Sequence, residues 1–173
     1  MSISQEHYGS VQEANDYFEM RLHEQAWSAV KPVDRPRALR AATIIIDTLN
    51  FKGRKRSVNE LLQTDPGASL NSIREAEAAQ VLEFPRGADT EVPEAIRIAC
   101  YEIAHSLLDG KDPELELENL GIVSQGYASV RTTYSRNQVP IEHIVNGVPN
   151  ALAWRYLCPF LRDDDAIRLS RVS

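Results

Sequence analysis

The chain has 173 residues, 43% hydrophobic and 25% charged, the composition of one ordinary globular domain. Its net charge of −6 weighs against non-specific wrapping of nucleic acid, because neutralising phosphates takes a basic surface, and leaves only local basic patches for DNA contact. Met1–Glu6 lacks the basic and apolar regions of a signal peptide, and no apolar run approaches the roughly 18 residues of a membrane span, so a soluble intracellular protein is expected.

The first predicted element is a helix after Tyr8-Gly9-Ser10. Ser10 and Glu13 have the spacing of a capping box, in which each side chain takes the other residue's free backbone N–H. Val11, Ala14, Phe18 and Leu22 recur at helical spacing, with Tyr8 as an apolar staple ahead of the cap, and the helix is expected to fray near Trp27. A second helix is predicted from Asp34, its cap, to about Asn50, with Pro36 tolerated in the first turn. Leu39, Ala42, Ile46 and Leu49 form its apolar face, widened by Ile44 and Ile45, which makes it a central helix. Phe51-Lys52-Gly53 ends it.

Ser57-Val58-Asn59-Glu60 is a second capping-box pattern, opening a short helix through Leu62; Asp65-Pro66-Gly67 is a turn, and Ser72 to Leu82 is Glu- and Ala-rich helix broken by Phe84-Pro85-Arg86. The third strong helix runs from Pro93 to Leu108, with Ile96, Ala99, Cys100, Ile103 and Leu107 inward, His105 near its polar flank and Asp109-Gly110 as its stop. Asp112–Glu118 reads as a loop or one turn. Tyr127, Val130, Thr132, Thr133 and Tyr134 are β-formers punctuated by Gly121 and Gly126, and predict a hairpin or extended arm over about 121–136. Val148-Pro149 opens a last helix that Pro159 stops soon after Leu157. The expected fold is mainly α: a small helical bundle over 1–162 with that β arm, followed by an extended tail over 163–173.

Chemistry is sparse. The four histidines fall in no HxxxH, HExxH or Cys-His pattern, and no nucleophile elbow, dinucleotide or phosphate-loop motif occurs. Cys100 and Cys158 lie in apolar helical surroundings and are expected as buried free thiols. Asp163-Asp164-Asp165 could meet a hard cation, but three adjacent carboxylates rarely converge on one ion, so no metal, cofactor or catalytic residue is expected. The one basic cluster is Lys52, Arg54, Lys55 and Arg56, a candidate contact for DNA or an acidic partner, against the plainer reading of a solvated loop. Arg86 is either part of a turn anchored by Phe84 or a cross-subunit partner.

The Tyr8-Gly9-Ser10 lead-in, Glu13-Ala14-x-x-Tyr17-Phe18, the Ala-rich second helix ending near Phe51-x-Gly53, Phe84-Pro85-Arg86, the Pro93-led helix and the β-rich arm follow in an order that resembles the head–tail connector (adaptor, or head-completion) proteins of tailed bacteriophages. The resemblance covers roughly Tyr8 to Arg162. It implies a structural virion protein and not an enzyme. It also implies a usually twelve-fold homo-oligomeric ring between the portal protein and a tail or nozzle protein, with genomic DNA passing through the lumen. The place implied is the head–tail junction of the virion, with the host cytoplasm during assembly. Arm residues Arg131 and Arg136 and tail residues Ile167 and Leu169 become candidate partner contacts. The stretch from Lys55 to Ala79 looks longer than the family's usual link and is expected as an excursion toward a tail or nozzle protein. The same sequence type also carries a DnaT-like single-stranded-DNA-binding label. That alternative needs cations interleaved with stacking aromatics, which only Phe51 with Lys52–Arg56, and Tyr127, Arg131, Tyr134 and Arg136, could supply.

Overall fold

The computed structural model describes residues 7–120, 124–127, 130–133 and 142–162. The described body is mainly helical, a small bundle built around α6 (Glu94–Leu108). α1 (Val11–Glu19), α3 (Asp34–Asp47) and α9 (Ala151–Leu157) pack around it. α6 is central because its second half is enclosed on every side: Cys100 through Ser106 are all buried. Ile96, Ala99, Cys100 and Ile103 belong to the core with Leu39, Ala42 and Ile46 of α3, and burying each large side chain there contributes roughly 1.5–3 kcal/mol.

α1 begins as its sequence predicts. Ser10 Oγ accepts from Glu13 N–H at 3.2 Å, and the Glu13 carboxylate bonds back to Ser10. It ends earlier than its periodicity suggests. Met20 is the C-terminal cap, His23 takes a positive φ of 60°, and a separate turn, α2 (Gln25–Ser28), follows. The reason is tertiary: the elbow folds Trp27 back so that its ring stacks on Phe18 at 4.9 Å and its indole N–H donates to Asn15 Oδ1 at 2.9 Å. Leu22, expected on the buried face, is therefore 83% exposed.

α3 spans the expected helix but stops at Asp47. Val33, not Asp34, occupies the cap position, and the Asp34 carboxylate instead pairs with Arg37 at 3.0 Å. Ile44 does not widen the core: it is 60% exposed. α4 (Arg56–Thr64) and α5 (Leu70–Ala79) form a helical hairpin across the Asp65-Pro66-Gly67 turn. Ser57 does not cap α4. Its backbone N–H is satisfied by the side-chain amide oxygen of Gln80 at 3.1 Å, which ties the far end of the hairpin to its start. α5 is capped by Ser69, three residues before the expected start, and ends before Leu82.

After α6 the chain reverses at Gly110, whose φ of 81° suits a residue without Cβ; the N–H of Lys111 closes on Ser106 O. The acidic stretch that follows is a full helix, α7 (Pro113–Leu120), because Asp112 Oδ1 accepts from the N–H groups of Glu114 and Leu115. β1 (Ser124–Tyr127) and β2 (Val130–Thr133) pair antiparallel, with Tyr127 opposite Val130. The side chains of these strands, including that of Arg131, the rest of the expected arm with Arg136, and the tail with Ile167 and Leu169 lie outside the described residues. A short helix that the sequence did not suggest, α8 (Glu142–Val145), precedes α9. Asn150, not Val148-Pro149, starts α9, its Oδ1 accepting from Leu152 and Ala153 N–H. A 3-10 turn, Cys158–Phe160, closes the body and leaves Cys158 exposed, whereas Cys100 is buried as expected.

Candidate functional site

Of the residues singled out in the sequence, Lys52, Arg54, Lys55, Arg56 and Arg86 meet at a knot of loops beside α3, while the Arg131 side chain, Arg136, Ile167 and Leu169 lie outside what is described. Phe51 forms an antiparallel bridge with Leu161, and Lys55 forms one with Arg86. Around them Lys52 N–H donates to Phe160 O at 2.8 Å, Gly87 N–H to Arg54 O at 2.9 Å and Arg56 N–H to Pro85 O at 3.1 Å. Phe84 is the apolar centre. Its ring lies edge-on to those of Phe51 at 4.7 Å, Phe160 at 5.5 Å and Tyr8 at 6.1 Å. The Tyr8 hydroxyl donates to Asp47 Oδ1 and accepts from Phe84 N–H at 3.2 Å. Burial, with Asp47 beside it, pushes the Tyr8 phenol far above its ordinary range; burial likewise raises Asp47.

Most of the basic cluster is committed within the chain. Arg86 Nε donates to Lys52 O at 2.9 Å and its Nη2 to Gly53 O at 2.6 Å; its Nη1 pairs with Glu83. The fork thus satisfies carbonyls of a tight loop that has no helix or ladder to do so. Lys55 Nζ reaches Gln80 O at 3.0 Å and Glu83 Oε1 at 3.2 Å and is only 11% exposed. Arg56 pairs with Glu60 and donates to Asp89 O at 2.9 Å, and Lys52 Nζ donates to Pro159 O at 3.2 Å. Arg54 is exposed, with no side-chain hydrogen bond or ion pair among the described residues. The expected four-cation grip is therefore a structural clamp with one outlying charge. Arg86, expected as a possible cross-subunit partner, is 13% exposed and already paired.

Sequence reasoning missed a second polar centre. Glu102 of α6 is fully buried and accepts from Arg21 Nε at 2.6 Å, Arg21 Nη2 at 2.8 Å, Tyr17 Oη at 2.7 Å and Asn150 Nδ2 at 3.2 Å. It joins α1, its elbow, α6 and α9. A lone Glu inside the apolar run Ile96–Leu108, with Tyr17 and Arg21 four apart in a distant stretch of sequence, was the available signal. Nearby His105 stacks on Phe18 at 5.4 Å with Nε2 buried and unpartnered. Its basicity is lowered, first by burial and then by Arg21.

Neither centre pairs a nucleophile with a base. Burial pushes the Cys100 thiol up to about 12, far from thiolate chemistry at neutral pH. Among the described residues no three His, Cys, Asp or Glu converge as metal ligands, and no helix is long and apolar enough to cross a membrane. The surface carries open grooves: one of about 260 Å³ lies between α1 and α6, lined by Asp16, Tyr17, Met20, Glu94, Ile98 and Tyr101 among others. No protein-family model, curated protein or solved structure matches the chain.

Proposed function

We propose that the chain is a structural head–tail connector of a tailed bacteriophage, assembling as a homo-oligomeric ring between the portal and the tail, with DNA passing through its lumen. The observation that carries this reading is the convergence of the stretches on which the resemblance rests. Tyr8, Phe51-x-Gly53 and Phe84-Pro85-Arg86 are far apart in sequence yet interlock in one knot. Gly9 fits the same logic: its φ is 72°, and a Cβ there would stand 2.0 Å from the Tyr101 hydroxyl. Scattered short motifs thus have one joint physical purpose, a rigid body. The α4–α5 hairpin, with Leu70 74% exposed and Val81 just beyond it 69% exposed, is the part of that body offered to a tail or nozzle protein.

A single-stranded-DNA-binding role has less support. Phe51 is buried under Arg86, and three of the four clustered cations are engaged with carbonyls or carboxylates of the same chain. Quantitative mass spectrometry of purified virions tests the proposal. About a dozen copies per particle, tracking the portal protein, are expected of a closed ring. Absence from virions, with abundance in infected cells during replication, overturns it in favour of the DNA-binding role.

A further inference from the structure

Two exposed helix faces of this chain carry opposite charge and point in opposite directions. The first belongs to α3. Val33, Arg37, Arg40 and Ile44 follow at intervals of four, three and four residues and form one stripe on the side away from the buried Ala38, Ala42 and Ile46. Val33 is 54% and Ile44 60% exposed, and both arginines are exposed while engaged within their own chain, Arg37 in a solvent-facing pair with Asp34. The second is the groove between α1 and α6. Glu13, Asp16 and Glu94 are exposed along it, against the single cation Arg97, which pairs with Glu13 at 2.7 Å. Its apolar content is Met20, 87% exposed, and Ile98.

Helical periodicity fixes their relation. Glu94 and Ile98 stand on the side of α6 opposite Ile96, Cys100 and Ile103, and Cys100 is the residue that meets α3, its Sγ 3.5 Å from Leu39 O and from Thr43 Oγ1. The groove therefore opens away from α3, while the α3 stripe faces away from α6. A basic-apolar ridge on one side and an acidic-apolar groove on the other cannot pair with themselves, since like charges would meet. They fit each other on successive copies.

We propose that the α3 stripe of one copy docks in the α1–α6 groove of the next, a head-to-tail interface that propagates and, with the right rotation per subunit, closes into a ring. This rests on the connector reading and names the surfaces it requires. Met20 and Ile44 supply apolar contact; Arg37 and Arg40 against Asp16 and Glu94 set partner and register.

The test is cross-linking of the purified full chain with the exposed Cys158 replaced (Cys158→Ser). Met20→Cys and Ile44→Cys carried together, treated with a short bis-maleimide at high protein concentration, are expected to give a ladder of covalent oligomers. Either cysteine alone gives none, and a mixture of the two single variants stops at dimers. Arg37→Glu with Arg40→Glu, or Asp16→Arg with Glu94→Arg, lowers ladder yield about tenfold, the sum of two modest ion pairs reversed, and combining all four restores it. No ladder from the double-cysteine chain, or dimers from Ile44→Cys alone, overturns the interface. If virions still hold the ring complement, only the interface falls. A ladder from a protein absent from virions keeps the interface and removes the connector reading.

Discussion

Glu102 and Arg86 each hold separate stretches of chain together, Glu102 three of them from the middle of the core and Arg86 two from its rim. Glu102 is fully buried and gathers Tyr17, Arg21 and Asn150. Arg86 sits at the mouth of the loop knot, with Glu83 as its ionic partner and the carbonyls of Lys52 and Gly53 as its acceptors. The difference lies in what remains if the hub is removed. Around Glu102 the donors of Tyr17, Arg21 and Asn150 are largely shielded from water, with Arg21 alone keeping partial access to it. Around Arg86 the carbonyls stand near the surface, where water can replace the lost donors. A buried hub therefore sets whether the body folds, and a rim hub sets how firmly its loops are held.

The largest effect is expected at the buried hub. Glu102→Ala leaves Tyr17, Arg21 and Asn150 facing an apolar gap and costs about 3 kcal/mol in urea unfolding, the low end for breaking a buried pair because Arg21 keeps partial access to water. Glu102→Gln retains an acceptor for Tyr17 but not the charge, and falls between. An alanine variant as stable as the parent shows that the elbow simply releases Arg21, and erases the distinction between the hubs.

Arg86→Lys sharpens the rim half of the comparison. Lysine keeps the charge beside Glu83 but cannot span two loop carbonyls with a planar fork. A loss of about 1–2 kcal/mol is expected, with faster amide exchange at Lys52, Gly53 and Gly87 as the local signature. Full stability with unchanged exchange indicates that the edge-to-face cluster of Phe51, Phe84 and Phe160 holds the loops unaided.

The two regions also differ in how legible they were. Helices with strong local signals could be read directly: the Ser10–Glu13 box, the Pro93-led α6 and its Gly110 stop need only neighbours in sequence. What failed was decided by distant partners. Leu22 has helical spacing, but the Phe18–Trp27 stack ends α1 before it. Ser57 has a cap's spacing, but Gln80 satisfies its N–H first. Ile44 is apolar, yet stands on the outer stripe of α3. For the candidate site, the residue types of the loop knot were singled out correctly while their use was not. The basic cluster looked like a grip for an outside partner because nothing local shows that Glu83, Glu60 and the loop carbonyls fold back onto it. Glu102 was missed outright, since one carboxylate in an apolar run shows its role only when Arg21 arrives across the bundle.

The smallest expected effect comes from His105, which sits between α1 and the buried hub. Burial and then Arg21 lower its pKa, while Glu102, Asp109 and a hydrogen bond with the His23 backbone push weakly the other way. In the unfolded chain the imidazole takes up a proton near its usual pKa of about 6.5, whereas in the folded chain it resists. The unfolded state thus binds more protons below that point, and stability falls as pH drops through it, by at most about 1.4 kcal/mol per pH unit, the slope for one proton. Two other shifted groups act lower. Asp47, raised by burial, protonates more readily folded than unfolded, so between its unfolded and folded pKa values it adds stability as pH falls. Glu13, held low by Ser10 and Arg97 against some burial, loses stability only in the carboxylate range. His105→Phe, which keeps a ring against Phe18 and removes the titration, is expected to flatten the stability profile between about pH 7 and 5.5. An unchanged slope in that variant shows that the imidazole takes its proton by turning toward water, and that the space between α1 and Glu102 is more open than the Phe18 stack implies.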